Sequence, residues 1–225
     1  MPGATVADAR AEALSLVPAD APAEPGLTPR LAALVALGCA ASATTMDNDG
    51  VRAAAERALA AGATPDEVHE AVVLVSALGV HALHEGSRVV AEVLRAHGDP
   101  RLAGEPAPEV AALLEPVLGD PYWQRLEAEI PGFIDALVRL SPQAFVAFRE
   151  FTAVPWRHGV LRAKEKELIY VGVDAMPTHR YLPGLRLHVA NAFERGATKA
   201  ELVGVLDIAA QAGPAWGIHP AGRAG

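Results

Sequence analysis

A histidine and a glutamate in apolar surroundings, His188 and Glu167, carry the strongest chemical signal in the sequence. His188 shares a helical stripe with Leu185, Val189, Ala192 and Phe193 and so faces a core, while Glu167 opens the apolar run Leu168 to Val173 on the preceding helix. An imidazole so placed can give or take a proton near neutral pH, and a neighbouring carboxylate can orient it or hold its charged form. Burial raises a carboxyl pKa and lowers that of an imidazole, which suits the two for acid and base roles. The plainer alternative is a core histidine bonded to a carbonyl, with a glutamate that only favours the dipole at its helix N-terminus.

Arg180 and Arg186 flank the start of the His188 helix, where exposed amides and the positive dipole end also favour an anion. Together they can hold a substrate carboxylate; two solvated arginines are the alternative. Tyr181 is either a proton donor or a packing residue, His179 and His219 approach from loops, and Trp216 is placed to close a pocket. His69, His81, His84 and Glu85 are of metal-ligand type, but their spacing matches no strong motif, so no metal is expected. Cys39, the only cysteine, lies in an apolar helix and reads as an inert buried thiol.

Three consecutive helices must position these residues. The first is announced by Lys164 to Glu167 and ends by Met176-Pro177; the second opens near Pro183 and closes at Arg195-Gly196. Thr198 and Glu201 form a capping box for the third. The same punctuation occurs earlier: Thr28-Pro29 starts a helix, Asp47 to Gly50 breaks it, Val51 to Ala61 forms a second helix ending at Gly62, and Thr64 to Glu67 is a capping box for a helix over 65–77. Gly62-Ala63-Thr64 recurs without gaps as Gly196-Ala197-Thr198, 134 residues on. At that offset His188 falls on Ala54 and Glu167 on Ala33, so only the second copy keeps a candidate site. Before the first copy, a helix over about Val6 to Val17 and the prolines Pro18, Pro22 and Pro25 suggest an arm that packs on the body or on a neighbour. Between the copies, a Pro/Gly-rich linker leads to helical segments around 108–118, 121–130, 131–140 and 142–153. The aromatics Tyr122, Trp123, Phe133, Phe145, Phe148, Phe151 and Trp156 concentrate there, as packing or, for one or two, as pocket lining.

Composition bounds the class. Hydrophobic content of 51% with 20% charged residues suits a soluble globular chain, and Ala, Leu and Val in place of aromatics suit an all-α fold. A net charge of −8 without a Lys/Arg cluster argues against nucleic acid as a partner. One cysteine argues against a disulfide framework, and the acid-bearing N-terminus and absence of a long apolar run argue against a signal peptide or a membrane partner. A cytoplasmic location is expected.

The run KEKELI, His188 eight residues before Gly196, and GAT followed by Glu201 resemble the carboxymuconolactone decarboxylase and alkylhydroperoxidase D-like family, over about 28–97 and 162–220. The resemblance implies duplicated helical units of that fold, assembled as hexamers of single units or trimers of double ones. It divides the chain into an arm (1–26), a first repeat with a degenerate site (27–97), connecting segments (98–160) and a second repeat with the candidate site (161–225). The peroxidase branch of the family carries Glu, Cys-x-x-Cys and His. Here Glu167 and His188 match the Glu and His if the intervening loop is about two residues longer, but Tyr181 and Gly184 stand where the cysteines would be. Peroxide reduction through a disulfide needs two thiols, so a thiol peroxidase is the least favoured reading. The decarboxylase branch implies cofactor-free chemistry on a small carboxylated lactone or a β-keto acid-type metabolite. His188 would then protonate the carbanion, Glu167 orient it, and Arg180 or Arg186 bind the carboxylate; isomerisation or lactone hydrolysis would need the same equipment. The expectation is thus a decarboxylase or related proton-transfer lyase that forms a homotrimer, with a non-catalytic small-molecule-binding or assembly protein as the alternative.

Overall fold

Between residues 5 and 213, which the computed structural model describes, the regular structure is helical throughout, as the composition predicts. The helices α1 (Val6–Ser15), α2 (Pro29–Ala41), α3 (Asn48–Ala60) and α4 (Pro65–Ser76) precede a 3₁₀ turn and α5 (His81–Ala96). Then follow α6 (Pro108–Leu118), α7 (Pro121–Glu129), α8 (Phe133–Leu140), α9 (Pro142–His158), α10 (Ala163–Ala175), α11 (Leu182–Glu194) and α12 (Lys199–Gln211). Among the described residues they form two compact units, one of residues 5–78 and 155–213, the other of residues 79–154.

The first unit holds both candidate copies. The bounds of α10 and α11 are those of α2 and α3 advanced by 134 residues, and α12 starts 134 residues after α4. The loops agree as well. Met46 and Arg180, one offset apart, both take left-handed backbone, φ 49° and 50°, and Gly62 and Gly196 have φ of 90° and 80° where a side chain would be strained. Thr64–Glu67 and Thr198–Glu201 close capping boxes in both copies. Asp47 is a departure from expectation: it does not break a helix but caps α3, its Oδ1 accepting from Gly50 N at 3.0 Å.

α2 and α10 form the centre of this unit, with Leu34, Val35, Leu168, Ile169 and Val171 fully buried. They cross closely because each offers a glycine to the other: a Cβ on Gly38 would lie 2.8 Å from Ile169 Cγ2, and one on Gly172 would lie 2.9 Å from Val35 Cγ1. Interiors this dense respond to added methyls. Gly38→Val is therefore expected to cost about 1–3 kcal/mol in urea unfolding; an unchanged midpoint would show that the crossing can spread.

The arm packs on its own unit. Ala9 and Ala13 of α1 are fully buried, Arg10 pairs with Asp207 at 2.7 Å, and the extended segment after α1 offers Pro22 O and Ala23 O to the first free amides of α12, Lys199 N at 2.8 Å and Ala200 N at 3.0 Å. In the second unit, α5 packs on α8, and Phe133 and Phe148 surround His84 at ring distances of 4.5 and 5.2 Å. Burial pushes that imidazole down to about 4, and neither ring nitrogen has a hydrogen-bond partner among the described residues. The compact units differ from the repeat boundaries expected from sequence, since α5 groups with the connecting helices and not with α2 to α4. Its apolar face is completed by α8, which sequence spacing alone does not reveal.

Candidate active site

Glu167, Tyr170 and Asp174 lie three and seven residues apart on α10 and so form one stripe. α11 faces that stripe with His188, also buried, and the hydrogen bond between His188 Nδ1 and Glu167 Oε2 is 2.7 Å. The ring of Tyr170 stacks on the imidazole with centroids 4.4 Å apart, which holds its plane. The other carboxylate oxygen, Glu167 Oε1, lies 3.5 Å from Arg195 Nη1, and the Arg195 guanidinium sits over the Trp156 ring at 5.7 Å. Arg195 follows His188 by seven residues, so it reaches the site from the same side of α11.

Asp174, fully buried at the other end of the stripe, lies 3.5 Å from His179 Nε2. The turn holding His179 is anchored by Tyr181 N donating to Asp174 O at 2.9 Å. α11 approaches this acid closely because Gly184 has no side chain: a Cβ there would be 2.4 Å from Asp174 Oδ2. Burial raises Asp174 above the ordinary carboxylate range, and the hydrogen bond from His179 and the charge of His188 only partly offset it. Burial alone would lower His188. The hydrogen bond and charge of Glu167, with the charge of Asp174, outweigh that and leave the imidazole above its ordinary value. The arrangement can therefore present a protonated imidazole near neutral pH, its Nδ1–H donated to Glu167 and its Nε2–H available for transfer.

His188, Glu167, His179 and Tyr181 fall on this pair of helices and the turn between them. Tyr181 is the N-cap residue of α11, 6.0 Å from the His179 ring. Arg186 does not join them. Two residues before His188 it points to the opposite side of α11, and its Nε bonds Glu12 of α1 at 2.5 Å. Arg180 is exposed in its left-handed turn position. Trp216 and His219 lie outside the described residues. Sequence reasoning missed Asp174, Tyr170 and Arg195. The spacing of seven from Glu167 to Asp174, and again from His188 to Arg195, was the available signal. Cys39 is buried and its thiol pushed up to about 12 by burial, so it stays protonated and unreactive, as expected. No described helix is long and apolar enough to cross a membrane.

Comparison with known proteins bears on the same segment. Residues 141–216 match the model of the carboxymuconolactone decarboxylase family. A crystal structure of a Burkholderia xenovorans protein, provisionally called a gamma-carboxymuconolactone decarboxylase subunit, is 38% identical over 81% of this chain and 71% of that one, with a TM-score of 0.66. None of the curated proteins is a match.

Proposed function

The chain belongs to the carboxymuconolactone decarboxylase family, and we propose that it is a cofactor-free decarboxylase of a small carboxylated lactone or β-keto acid-type metabolite, with His188 as the proton donor. The observation that carries this reading is the buried 2.7 Å bond between His188 Nδ1 and Glu167 Oε2. When the C–C bond to the carboxylate breaks, carbon dioxide leaves and the electron pair passes into the adjoining carbonyl as an enolate. The enolate carbon then takes the Nε2 proton of the His188 imidazolium, which regains one from water. Glu167 fixes the ring and stabilises the cationic form, Arg195 holds the carboxylate of Glu167 in place, and Tyr170 keeps the ring plane. Arg180 is the remaining sequence candidate for the substrate carboxylate, since Glu12 already engages Arg186. The homotrimer inferred from the family resemblance belongs to the same proposal.

The test is carbon dioxide release by the full chain from a panel of carboxylated lactones and β-keto acids, followed as a function of pH. The acid form of His188 exists below its raised pKa and is lost as pH rises through it, so the rate is expected to fall on the alkaline side, with the midpoint above the ordinary value of 6.5. Glu167→Gln removes the charge that raises the pKa while desolvation remains, so the falling limb is expected to move to lower pH. No turnover across the panel, or a limb that Glu167→Gln leaves in place, would overturn the assignment.

A further inference from the structure

The first copy holds a cavity where the second holds its site. About 810 Å³ in volume, it is lined by α2, α3 and the end of α12, all in the first compact unit. Ala33, Ala36 and Ala40 line it from α2, at the positions that Glu167, Tyr170 and Asp174 occupy on α10. Thr45, Arg57 and Ala61, which also line it, match His179, Asn191 and Arg195. Because the helices and turns of the two copies agree position by position, the side chains absent from α2 leave a hollow at the counterpart of the candidate site. Its volume lies within the roughly 300–1,000 Å³ usual for small-molecule sites.

Its lining no longer supports proton transfer, since alanines stand at the Glu167, Asp174 and His188 positions. What remains is mostly alanine methyl groups and Ile208, with the neutral polar side chains of Thr45 and Gln211 and charge at two places. Asp47, at the N-terminus of α3, is occupied in capping Gly50. Arg57 lies ten residues further on, about 15 Å along the helix, and its guanidinium has no ion-pair partner among the described residues. The two charges are thus at opposite ends of α3, and an anion is favoured at the Arg57 end alone.

We infer that the first copy is a non-catalytic binding site for a small monocarboxylic acid, its apolar body against the alanine face of α2 and its carboxylate on Arg57. Hydrophobic burial holds the body, and the guanidinium gives a charge-assisted hydrogen bond to the carboxylate. The site is separate from the proposed chemistry at His188 and is read by binding, so its failure leaves that chemistry untouched.

The second copy supplies the test variants. Ala36→Tyr places in the cavity the side chain that α10 carries as Tyr170, and Arg57→Asn installs the counterpart Asn191. 4-Fluorobenzoate is titrated against the full chain by fluorine NMR, with folding checked by circular dichroism. We expect saturable binding that weakens at least tenfold in each variant, weakens similarly for uncharged 4-fluorobenzyl alcohol, and stays within twofold in Glu167→Gln. Absence of binding at millimolar concentration, or binding that Arg57→Asn leaves intact while Glu167→Gln removes it, would overturn the inference. Arg57 is an exposed residue, so Arg57→Asn keeps the test decisive if Ala36→Tyr fails to fold.

Discussion

Replacing His188 is expected to lower the rate of carbon dioxide release by about two to four orders of magnitude, the usual contribution of a positioned acid or base. The loss should fall mainly on kcat, because the imidazolium acts on the carbanion as it forms and contributes little to ground-state binding. Alanine is the direct test but leaves the buried Glu167 carboxylate with only Arg195 at 3.5 Å, so some stability will be lost with it. His188→Gln answers this: its amide can still donate to Glu167, yet it has no acidic proton to give. If folded His188→Gln, compared by circular dichroism and thermal unfolding, keeps activity within tenfold of the wild type, His188 is a core residue and the site lies elsewhere.

The largest stability effect is expected at Glu70, on α4 and far in sequence from what it holds. Its Oε2 accepts Val160 N at 2.5 Å and Leu161 N at 2.7 Å, and its Oε1 lies 3.1 Å from the buried Lys166 Nζ. Lys166 in turn donates to Pro155 O at 2.6 Å and sits 5.4 Å from the centre of the Trp156 ring. Gly159 passes so close that a Cβ there would be 1.8 Å from Glu70 Oε1. Glu70→Ala therefore takes the acceptor from two amides and leaves the buried Lys166 ammonium with Pro155 O but without its counter-charge, an effect of about 3–5 kcal/mol. Urea unfolding measures it. Glu70→Gln should lose less, since it keeps an acceptor for the amides, and a combined Glu70→Leu, Lys166→Met chain should lose less than the sum of the single changes. A Glu70→Ala cost below about 1 kcal/mol would mean that water or Lys166 replaces the carboxylate.

The helices were readable from sequence because their punctuation is local. Thr64 with Glu67, and Thr198 with Glu201, announce the starts of α4 and α12 through contacts within a single turn. The Asp47 to Gly50 run was misread because a turn-forming string and an N-cap share their residue types, and only the direction of the following chain decides between them. His188 and Glu167 were legible because a charge on an apolar stripe stands out. Asp174 was hidden by lying at the end of a buried helix, where a carboxylate is ordinarily a terminus residue. Arg195 was hidden by its place beside Gly196, which drew it into the helix stop. Arg186 was read by proximity to the helix start, while side-chain direction and an acid 174 residues away decide its partner. The compact unit formed by α5 to most of α9 depended on long-range packing, for which spacing along the chain offers no guide.

The exchange of glycines between α2 and α10, Gly38 against Ile169 and Gly172 against Val35, has the reciprocity of a two-fold dimer interface, except that both partners are on one chain. In a dimer of identical subunits any substitution appears twice, so a site cannot be given up on one side and kept on the other. Covalent linkage removes that restriction. One half can keep a buried acid–histidine pair that is costly to maintain, while the other exchanges the same positions for alanines and opens a cavity there. A single acid–histidine pair for the two halves, and freedom for its counterpart to take another role, follow from joining them in one polypeptide.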